Sequence, residues 1–214
     1  MLSAISISSA NVLDDVNDEA SLQSAISTAN KDNNISEISF RSNTSIILNA
    51  PVIYNGSQAI KFSGNNSTID GKNAGSFVIK NDLSATTNDG TLIFNTAEKI
   101  EINNLSVINS ATRGIVVSIP AEAQGKDSVI SLHKVNITNS ALYGLHVDDN
   151  SGMFDDGTEG SSICIKLHFS NSILTGNGIS AIDFDGIRFD ERSRGNLSTL
   201  ITNSHIDGNG GDGI

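Results

Sequence analysis

The sequence predicts an all-β fold in which short parallel strands stack as the coils of a solenoid. A phrase that begins at Asn171, Asn-Ser-Ile-Leu-Thr-Gly-Asn-Gly, returns at Asn203 as Asn-Ser-His-Ile-Asp-Gly-Asn-Gly. Such self-similarity is typical of stacked structural units. Aromatic residues make up only 5% of the chain and Trp is absent, so stacked Ile, Val and Leu must fill the interior.

One helix and a series of short strands are predicted in the first half of the chain. The helix covers residues 21–31, where Ser21 can cap it and Leu22, Ala25, Ile26 and Ala29 share one face. The segments that follow are rich in β-branched residues and bounded by Asn, Gly, Ser and Asp. The predicted strands are Ile35–Phe40, Ser45–Asn49, Val52–Tyr54, Ala59–Phe62, Ser76–Lys80 and Thr91–Phe94. These strands alone would also fit a sandwich or a barrel.

The repeats of the second half favour the solenoid over those two alternatives. Aligning the copies gives two apolar columns, one small-residue column and one turn column. The first apolar column is Val107, Ile137, Leu174 and Ile206, and the second is Ile115, Leu145, Ile182 and Ile214. The small-residue column is Gly114, Gly144, Ala181 and Gly213, and the turn column pairs Asn109–Ser110, Asn139–Ser140, Gly176–Asn177 and Gly208–Asn209. Small residues suit a corner, and Asn and Gly tolerate left-handed backbone in turns.

The first coils carry a family resemblance. The segments Ser21–Asn30, Ile35–Phe40, Ile46–Ile53 and Ser67–Gly71 resemble the start of right-handed parallel β-helix proteins of the pectin-lyase-like superfamily. The resemblance implies a right-handed, single-stranded parallel β-helix of three sheets, with a short N-terminal capping helix. It also leaves function open, because the superfamily includes enzymes, adhesins and passenger domains.

Two regions follow from these patterns. Residues 1–34 form an N-terminal segment with the capping helix, and residues 35–214 form the coils. Because Ile214 falls on an apolar column with no residue after it, we expect the coil region to be truncated at its C-terminal end.

Charge and composition restrict the partners. The formal net charge is −11, which disfavours nucleic acid and anionic membranes because both attract Lys and Arg. The single cysteine, Cys164, excludes an internal disulfide and is expected to pack as a small hydrophobic residue. No apolar run is long enough for a spanning helix, and no signal peptide is evident, yet an extracellular or cell-surface location is expected.

Acidic residues suggest a first candidate site. They follow equivalent positions of two successive coils, so stacking would bring them together. The set comprises Asp148, Asp149, Asn150, Asp155, Asp156, Asp183, Asp185, Asp190 and Glu191. Clustered carboxylates can bind Ca²⁺, the one cofactor that the sequence allows, although the calcium-loop pattern is absent and solvated loop charges are the favoured interpretation.

The segment Asp183–Arg192, with Arg194 beyond it, is a second candidate. Polysaccharide lyases and hydrolases of this fold use Asp with Arg or Lys along one face. A cleft lined by Asp183, Asp185, Arg188 and Asp190, with raised carboxylate pKa values, would favour catalysis. The polygalacturonase-like and pectate-lyase-like signatures are absent. The histidines His133, His146, His168 and His205 lack metal-ligand spacing and are expected to be outward and solvated.

The sequence therefore assigns no catalytic, cofactor-binding or metal-binding residues. It predicts a secreted or cell-surface structural or adhesive module that binds carbohydrate or another surface without catalysis. The alternative is a polysaccharide lyase or glycoside hydrolase that acts on an extracellular polysaccharide. The expected partner is a polysaccharide or a cell-surface glycan.

Overall fold

A computed structural model describes residues 11–76, 89–150, 159–180 and 183–214 of the chain. Strands are the main secondary structure of these residues, with one helix, α1 (Glu19–Ala29). The early strands are β1 (Asn11–Val16), β2 (Ile35–Phe40), β3 (Ser45–Ile47), β4 (Val52–Tyr54), β5 (Ile60–Asp70), β6 (Gly90–Asn95), β7 (Ile100–Ile108) and β8 (Arg113–Ser118). The later ones are β9 (Ser128–His133), β10 (Asn136–Thr138), β11 (Leu145–Asp148), β12 (Ile165–Ser170), β13 (Ile173–Thr175), β14 (Ile187–Asp190), β15 (Leu197–Thr202) and β16 (His205–Asp207).

Helix α1 begins two residues before the predicted start. Asp18 is the N-cap, because its carboxylate accepts the Ser21 N–H at 2.7 Å while the Ser21 hydroxyl accepts the Asp18 N–H at 3.1 Å. Ser21 is thus the reciprocal partner in a capping box rather than the cap. The predicted apolar face is confirmed, since Leu22, Ala25, Ile26 and Ala29 are all buried. This face packs against β2 and β4.

The described strands form two parallel sheets, one of eleven strands and one of five, and bends within β5 and β7 divide the larger sheet into two faces. Face A comprises β1, β2, the first half of β5, the first half of β7, β9, β12 and β15. Face B comprises β3, the second halves of β5 and β7, β10, β13 and β16. Face C comprises β4, β6, β8, β11 and β14. Every strand pairing among the described residues is parallel and joins a strand to its counterpart in a neighbouring turn of the chain.

The strand register places successive members of each apolar sequence column next to one another in the core. Val107 pairs with Ile137, Ile137 with Leu174, and Leu174 with Ile206, so the first predicted column is confirmed on face B. A parallel column on face A is Ile38, Phe62, Ile102, Leu132, Phe169 and Ile201. Most of these side chains are fully buried, and each contributes about 1.5–3 kcal/mol of transfer free energy.

The predicted turn column is also confirmed. Asn109, Asn139, Gly176 and Gly208 all have left-handed backbone, with φ between 53° and 65°. A second left-handed column separates faces A and B at Asn43, Asn65, Asn104, Lys134, Asn171 and Asn203. Asn populates this conformation more readily than most residues, which explains the abundance of Asn at the bends.

The second predicted apolar column is wrong in its third member. Leu145 pairs with Ile187, not with Ile182. The corner before it is Gly186 rather than Ala181, because the Leu145 N–H donates to the Gly186 carbonyl and the Ile187 N–H donates to the Gly213 carbonyl. The alignment failed because the loop between β13 and β14 is longer than its counterparts. Ala181 and Ile182 themselves lie outside the described residues.

Several strand boundaries differ from those predicted. β5 runs from Ile60 to Asp70 through the bend at Asn65, so the predicted strand at residues 59–62 is only its first part. β1 was not predicted, and β3 ends at Ile47. Ser76 is not in a strand, and the rest of the predicted strand Ser76–Lys80 lies outside the described residues. No helix in the described ranges has the length and apolar character needed to cross a membrane.

Candidate functional site

Face C places four ionisable side chains side by side on its outer surface. In β11 the core takes Leu145 and Val147, so His146 and Asp148 point to the opposite side of the strand. The same alternation in β14 directs Arg188 and Asp190 outward, next to the core residue Ile187. The parallel register pairs His146 with Arg188 and Asp148 with Asp190. We call His146, Asp148 and Asp190 the face C cluster.

Two neighbouring side chains donate hydrogen bonds to the carboxylate of Asp190. Its Oδ2 accepts the Nε2–H of His146 at 2.8 Å, and its Oδ1 accepts the Nε–H of Arg188 at 2.8 Å. His146 is only 2% exposed. A carboxylate can only accept, so His146 carries its proton on Nε2 in this arrangement.

Asp148 is held by the segment that follows β14. Its Oδ2 accepts the guanidinium of Arg192 at 3.0 Å, and its Oδ1 accepts the backbone N–H of Asn150 at 2.8 Å. Asp148 is 5% exposed. All four carboxylate oxygens of Asp148 and Asp190 therefore accept a hydrogen bond from the protein.

Burial and hydrogen bonding push the pKa values of the cluster apart. Burial raises the pKa of Asp148 to about 6, although the Asn150 N–H and Arg192 act in the opposite direction. Burial would also raise the pKa of Asp190, but the hydrogen bonds from His146 and Arg188 outweigh it and lower that pKa to about 2. Burial lowers the pKa of His146 to about 4. At neutral pH the cluster thus contains a neutral imidazole and an ionised Asp190.

Aromatic and guanidinium groups pack beside the cluster. The Tyr143 ring lies 5.2 Å from the His146 ring and 5.1 Å from the Phe184 ring, centroid to centroid. The guanidinium carbon of Arg113 lies 5.7 Å from the Tyr143 centroid, within cation–π range. Arg113 is 0% exposed, and burial lowers its pKa to about 10. These groups help to shield the cluster from water.

The structure brings together only part of the first predicted site. Asp148 and Asp190 meet, as the stacking argument required, whereas Asp183 is exposed. Asp149 is buried and accepts the Arg192 N–H at 3.0 Å, and Glu191 accepts the N–H groups of Ser193 and Gly195. Asp155 and Asp156 lie outside the described residues.

The second predicted site divides at Gly186. Asp183 and Asp185 belong to the loop before β14, and Asp185 accepts the Asp212 N–H at 3.0 Å. Arg188 lies 4.0 Å from Asp185 and closer to Asp190, while Arg194 is exposed. Burial raises the pKa of Asp185, whereas the pKa of Asp190 is lowered. Of the four residues proposed for a cleft, Arg188 thus lies within ion-pair distance of both Asp185 and Asp190, whereas Asp183 is exposed.

The prediction for the histidines is wrong for His146. His146 points outward as expected, yet it is buried. Its place in a cluster was missed because only ligand spacing along the chain was considered, whereas Asp190 lies on the neighbouring strand. The pattern His146-Val147-Asp148 was a usable signal, since alternate residues of a strand share a face. His168 and His205 are exposed, and His133 is half-buried with Nδ1 2.9 Å from the Ser170 hydroxyl.

Cys164 is half-buried rather than a core residue. Its neighbours Ile163 and Ile165 belong to the core, so alternation directs the thiol to the outer side, where it lies 3.7 Å from the Asn196 side-chain nitrogen. The prediction of a packed small hydrophobic residue is wrong because it did not assign the side of the strand.

Face B carries a column of uncharged polar side chains. Ser45 pairs with Thr68, Thr68 with Ser106, and Ser106 with Asn136. These positions alternate with the core column, so their side chains point outward, and Ser45 is exposed while the other three are half-buried. Asn136 donates to the Ser106 hydroxyl at 3.3 Å. The column presents hydroxyl and amide groups at the spacing of parallel strands, about 4.8 Å.

Asparagine pairs link successive turns of the chain. Asn66 donates to Asn43 at 2.7 Å, Asn95 to Asn55 at 2.8 Å, and Asn177 to Asn209 at 3.1 Å. Asn177 also donates to the Ile137 carbonyl and accepts the Ser140 N–H. These amides satisfy backbone groups at the corners and fix the register.

Among the described residues, His146, Asp148 and Asp190 form a group that could hold a metal ion. Each offers one ligand atom, and these atoms lie within 4.8 Å of one another. Comparison of the chain with protein-family models, with curated proteins and with solved structures finds no match.

Proposed function

We propose that the chain is a right-handed parallel β-helix of the pectin-lyase-like kind, and that it is a secreted or cell-surface module that binds a glycan without cleaving it. The recurring order of parallel faces and the left-handed Asn column support the fold proposal. The observation that carries the binding proposal is the polar column on face B, formed by Ser45, Thr68, Ser106 and Asn136.

The chemistry of this column suits an extended polysaccharide. Hydroxyl and amide groups both donate and accept hydrogen bonds, as sugar hydroxyls do. Their strand spacing of about 4.8 Å is close to the length of one sugar unit in an extended chain. The net charge of −11 favours a neutral glycan over an acidic one, because like charges repel.

The face C cluster supports binding without catalysis. Asp148 is 5% exposed and His146 2% exposed, so a sugar ring cannot reach them without rearrangement of the surrounding chain. Both oxygens of each carboxylate are engaged by protein donors. A general acid or a nucleophile must instead lie within hydrogen-bond reach of its substrate.

A polysaccharide binding panel tests the proposal. Affinity electrophoresis measures how strongly each protein binds neutral and acidic polysaccharides. The proteins are the wild type, Ser106→Arg on face B and Ser131→Arg on face A. Both serines are half-buried and point outward on neighbouring strands, so they form a matched pair. We expect binding of a neutral glycan that only Ser106→Arg weakens. Equal effects of the two substitutions, or no binding at all, would overturn the assignment to face B.

A glycoside hydrolase remains the second candidate, and one observation favours it. Asp148 and Asp190 face each other, and their ligand oxygens lie within 4.8 Å, near the separation of about 5–5.5 Å found in retaining enzymes. Reducing-end release is therefore measured on the same polysaccharides. Release that disappears in Asp148→Asn would establish the hydrolase and refute the non-catalytic proposal.

A further inference from the structure

The face C cluster contains three metal-ligand side chains of two types on two neighbouring strands. His146 and Asp148 are two residues apart on β11, and Asp190 lies opposite Asp148 on β14. Their ligand atoms are within 4.8 Å of one another. Ligand atoms of a tetrahedral ion lie about 2.0–2.2 Å from it and therefore about 3.5 Å from one another, so the most distant pair of the cluster has to approach by about 1 Å to share one ion.

The outer oxygens of both carboxylates are already held by arginine. Arg188 binds Asp190 Oδ1 and Arg192 binds Asp148 Oδ2. This leaves Asp190 Oδ2, which now accepts only the His146 proton, and Asp148 Oδ1, which accepts one backbone N–H. A carboxylate oxygen has a second lone pair for an ion, and hydrogen bonds on the distal oxygen are the usual way in which a protein orients a ligating carboxylate.

Two carboxylates of the cluster face each other across neighbouring strands. Facing like charges on neighbouring strands destabilise a sheet, and Asp148 and Asp190 are such a pair in a nearly dry environment. Asp149, next in the chain, is 0% exposed, and its Oδ2 is buried without a hydrogen-bond partner. An unpartnered buried acceptor is costly. A bound cation would relieve the repulsion between the facing carboxylates of Asp148 and Asp190.

We propose that His146, Asp148 and Asp190 bind one first-row transition-metal ion of the Zn²⁺ class. The imidazole excludes a typical Ca²⁺ site, which uses six to eight oxygen ligands, and favours Zn²⁺ or a similar ion. On binding, the ion takes the place of the Nε2 proton of His146, which is released to solvent. The ion lies on face C, whereas the glycan proposal concerns face B, so the metal-site proposal and the glycan proposal are tested independently.

The chain supplies its own matched control. His205 and Asp207 repeat the His-x-Asp pattern on β16, with Nε2 3.0 Å from the carboxylate. Both are exposed, and Thr175 rather than a carboxylate faces Asp207 on the neighbouring strand. The facing carboxylate and the burial are therefore the features that distinguish the proposed site from a surface His–Asp pair.

Isothermal titration with Zn²⁺ after EDTA treatment and buffer exchange tests the proposal. We expect one equivalent to bind to the wild type, and the affinity to fall by more than about 10-fold in His146→Asn and in Asp190→Asn. His205→Asn should bind like the wild type. Unchanged affinity in His146→Asn, loss of affinity in His205→Asn, or no binding by the wild type would overturn it.

A second measurement needs no variant and so does not depend on whether substitutions fold. Side-chain ¹⁵N NMR of the wild type, with Zn²⁺ added stepwise, reports which imidazole nitrogen loses its proton. The proposal requires the His146 resonances to move with one equivalent, ahead of those of His133, His168 and His205. Movement of any other histidine first would refute it.

Discussion

Asp148 and Asp190 face each other on the neighbouring parallel strands β11 and β14, yet their pKa values lie on opposite sides of the ordinary value for aspartate. Asp190 has His146 and Arg188 as donors, whereas burial dominates at Asp148. Face C therefore combines one carboxylate whose pKa is lowered to about 2 with one whose pKa is raised to about 6. This difference has consequences for stability that can be measured on the metal-free protein.

The pH dependence of the free energy of unfolding should change in opposite directions in His146→Asn and Asp148→Asn. The pKa of His146 is lowered from 6.5 to about 4, so the unfolded chain binds more protons and stability rises with pH between 4 and 6. The pKa of Asp148 is raised from 3.8 to about 6, so stability falls over the same window. Each slope approaches about 1.4 kcal/mol per pH unit, and in the wild type they largely cancel.

Urea unfolding in EDTA from pH 4 to 6 separates the two contributions. Relative to the wild type, His146→Asn should lose stability as pH rises, and Asp148→Asn should gain it. Profiles that run parallel to the wild type in both variants would show that neither group has the shifted pKa.

Removing the charge of Asp190 should destabilise the protein strongly. Asp190→Asn leaves buried His146 and the Arg188 guanidinium without their carboxylate acceptor, and breaking such a buried interaction costs about 3 kcal/mol. Asp207→Asn removes the partner of His205 in an exposed pair and should cost less than about 1 kcal/mol. Urea unfolding at pH 7 compares them, and equal losses would mean that the buried pair contributes no more than the surface one.

A methyl group at Gly114 should destabilise the fold, because neighbouring turns of the chain are in close contact at this corner. A Cβ at Gly114 would lie 2.5 Å from the Gly144 carbonyl oxygen and 2.6 Å from Ile137 Cγ2. Gly114→Ala should therefore destabilise by about 2 kcal/mol through overpacking. At Gly213 the nearest atom to a Cβ is 3.5 Å away, so Gly213→Ala should be close to neutral. Thermal unfolding of the two variants tests this prediction. An unfolding midpoint of Gly114→Ala equal to that of the wild type would contradict the stacking of the corners.

Lys134 is the exception in the left-handed Asn column, with φ of 53°. Replacement by Asn should stabilise the chain by about 1 kcal/mol, because Lys is strained in this conformation and Asn is not. Lys72→Asn is the control, since Lys72 is exposed and has no positive φ. A midpoint of urea unfolding that rises in both variants, or in neither, would show that backbone conformation at residue 134 is not the cause.

How much the sequence could predict depends on what kind of information each feature requires. The face B column through Val107, Ile137 and Leu174 was predictable because equal spacing between turn and strand survives in every copy. The corner at Gly186 was missed because the longer loop before it shifts the register, and only the backbone bonds to Gly144 and Gly213 reveal the shift. The face C cluster was half predicted. Its carboxylates were recognised as stacked, but the burial of His146 depends on contacts across the fold.

The most direct test of the face C cluster is anomalous diffraction at the zinc edge from crystals grown with Zn²⁺. The expected result is one strong peak between His146, Asp148 and Asp190, with β11 and β14 parallel and Asp148 opposite Asp190. A peak at His205 instead, or no peak at the cluster, would contradict the site, and antiparallel strands at Ile137 and Leu174 would contradict the stacking that forms it.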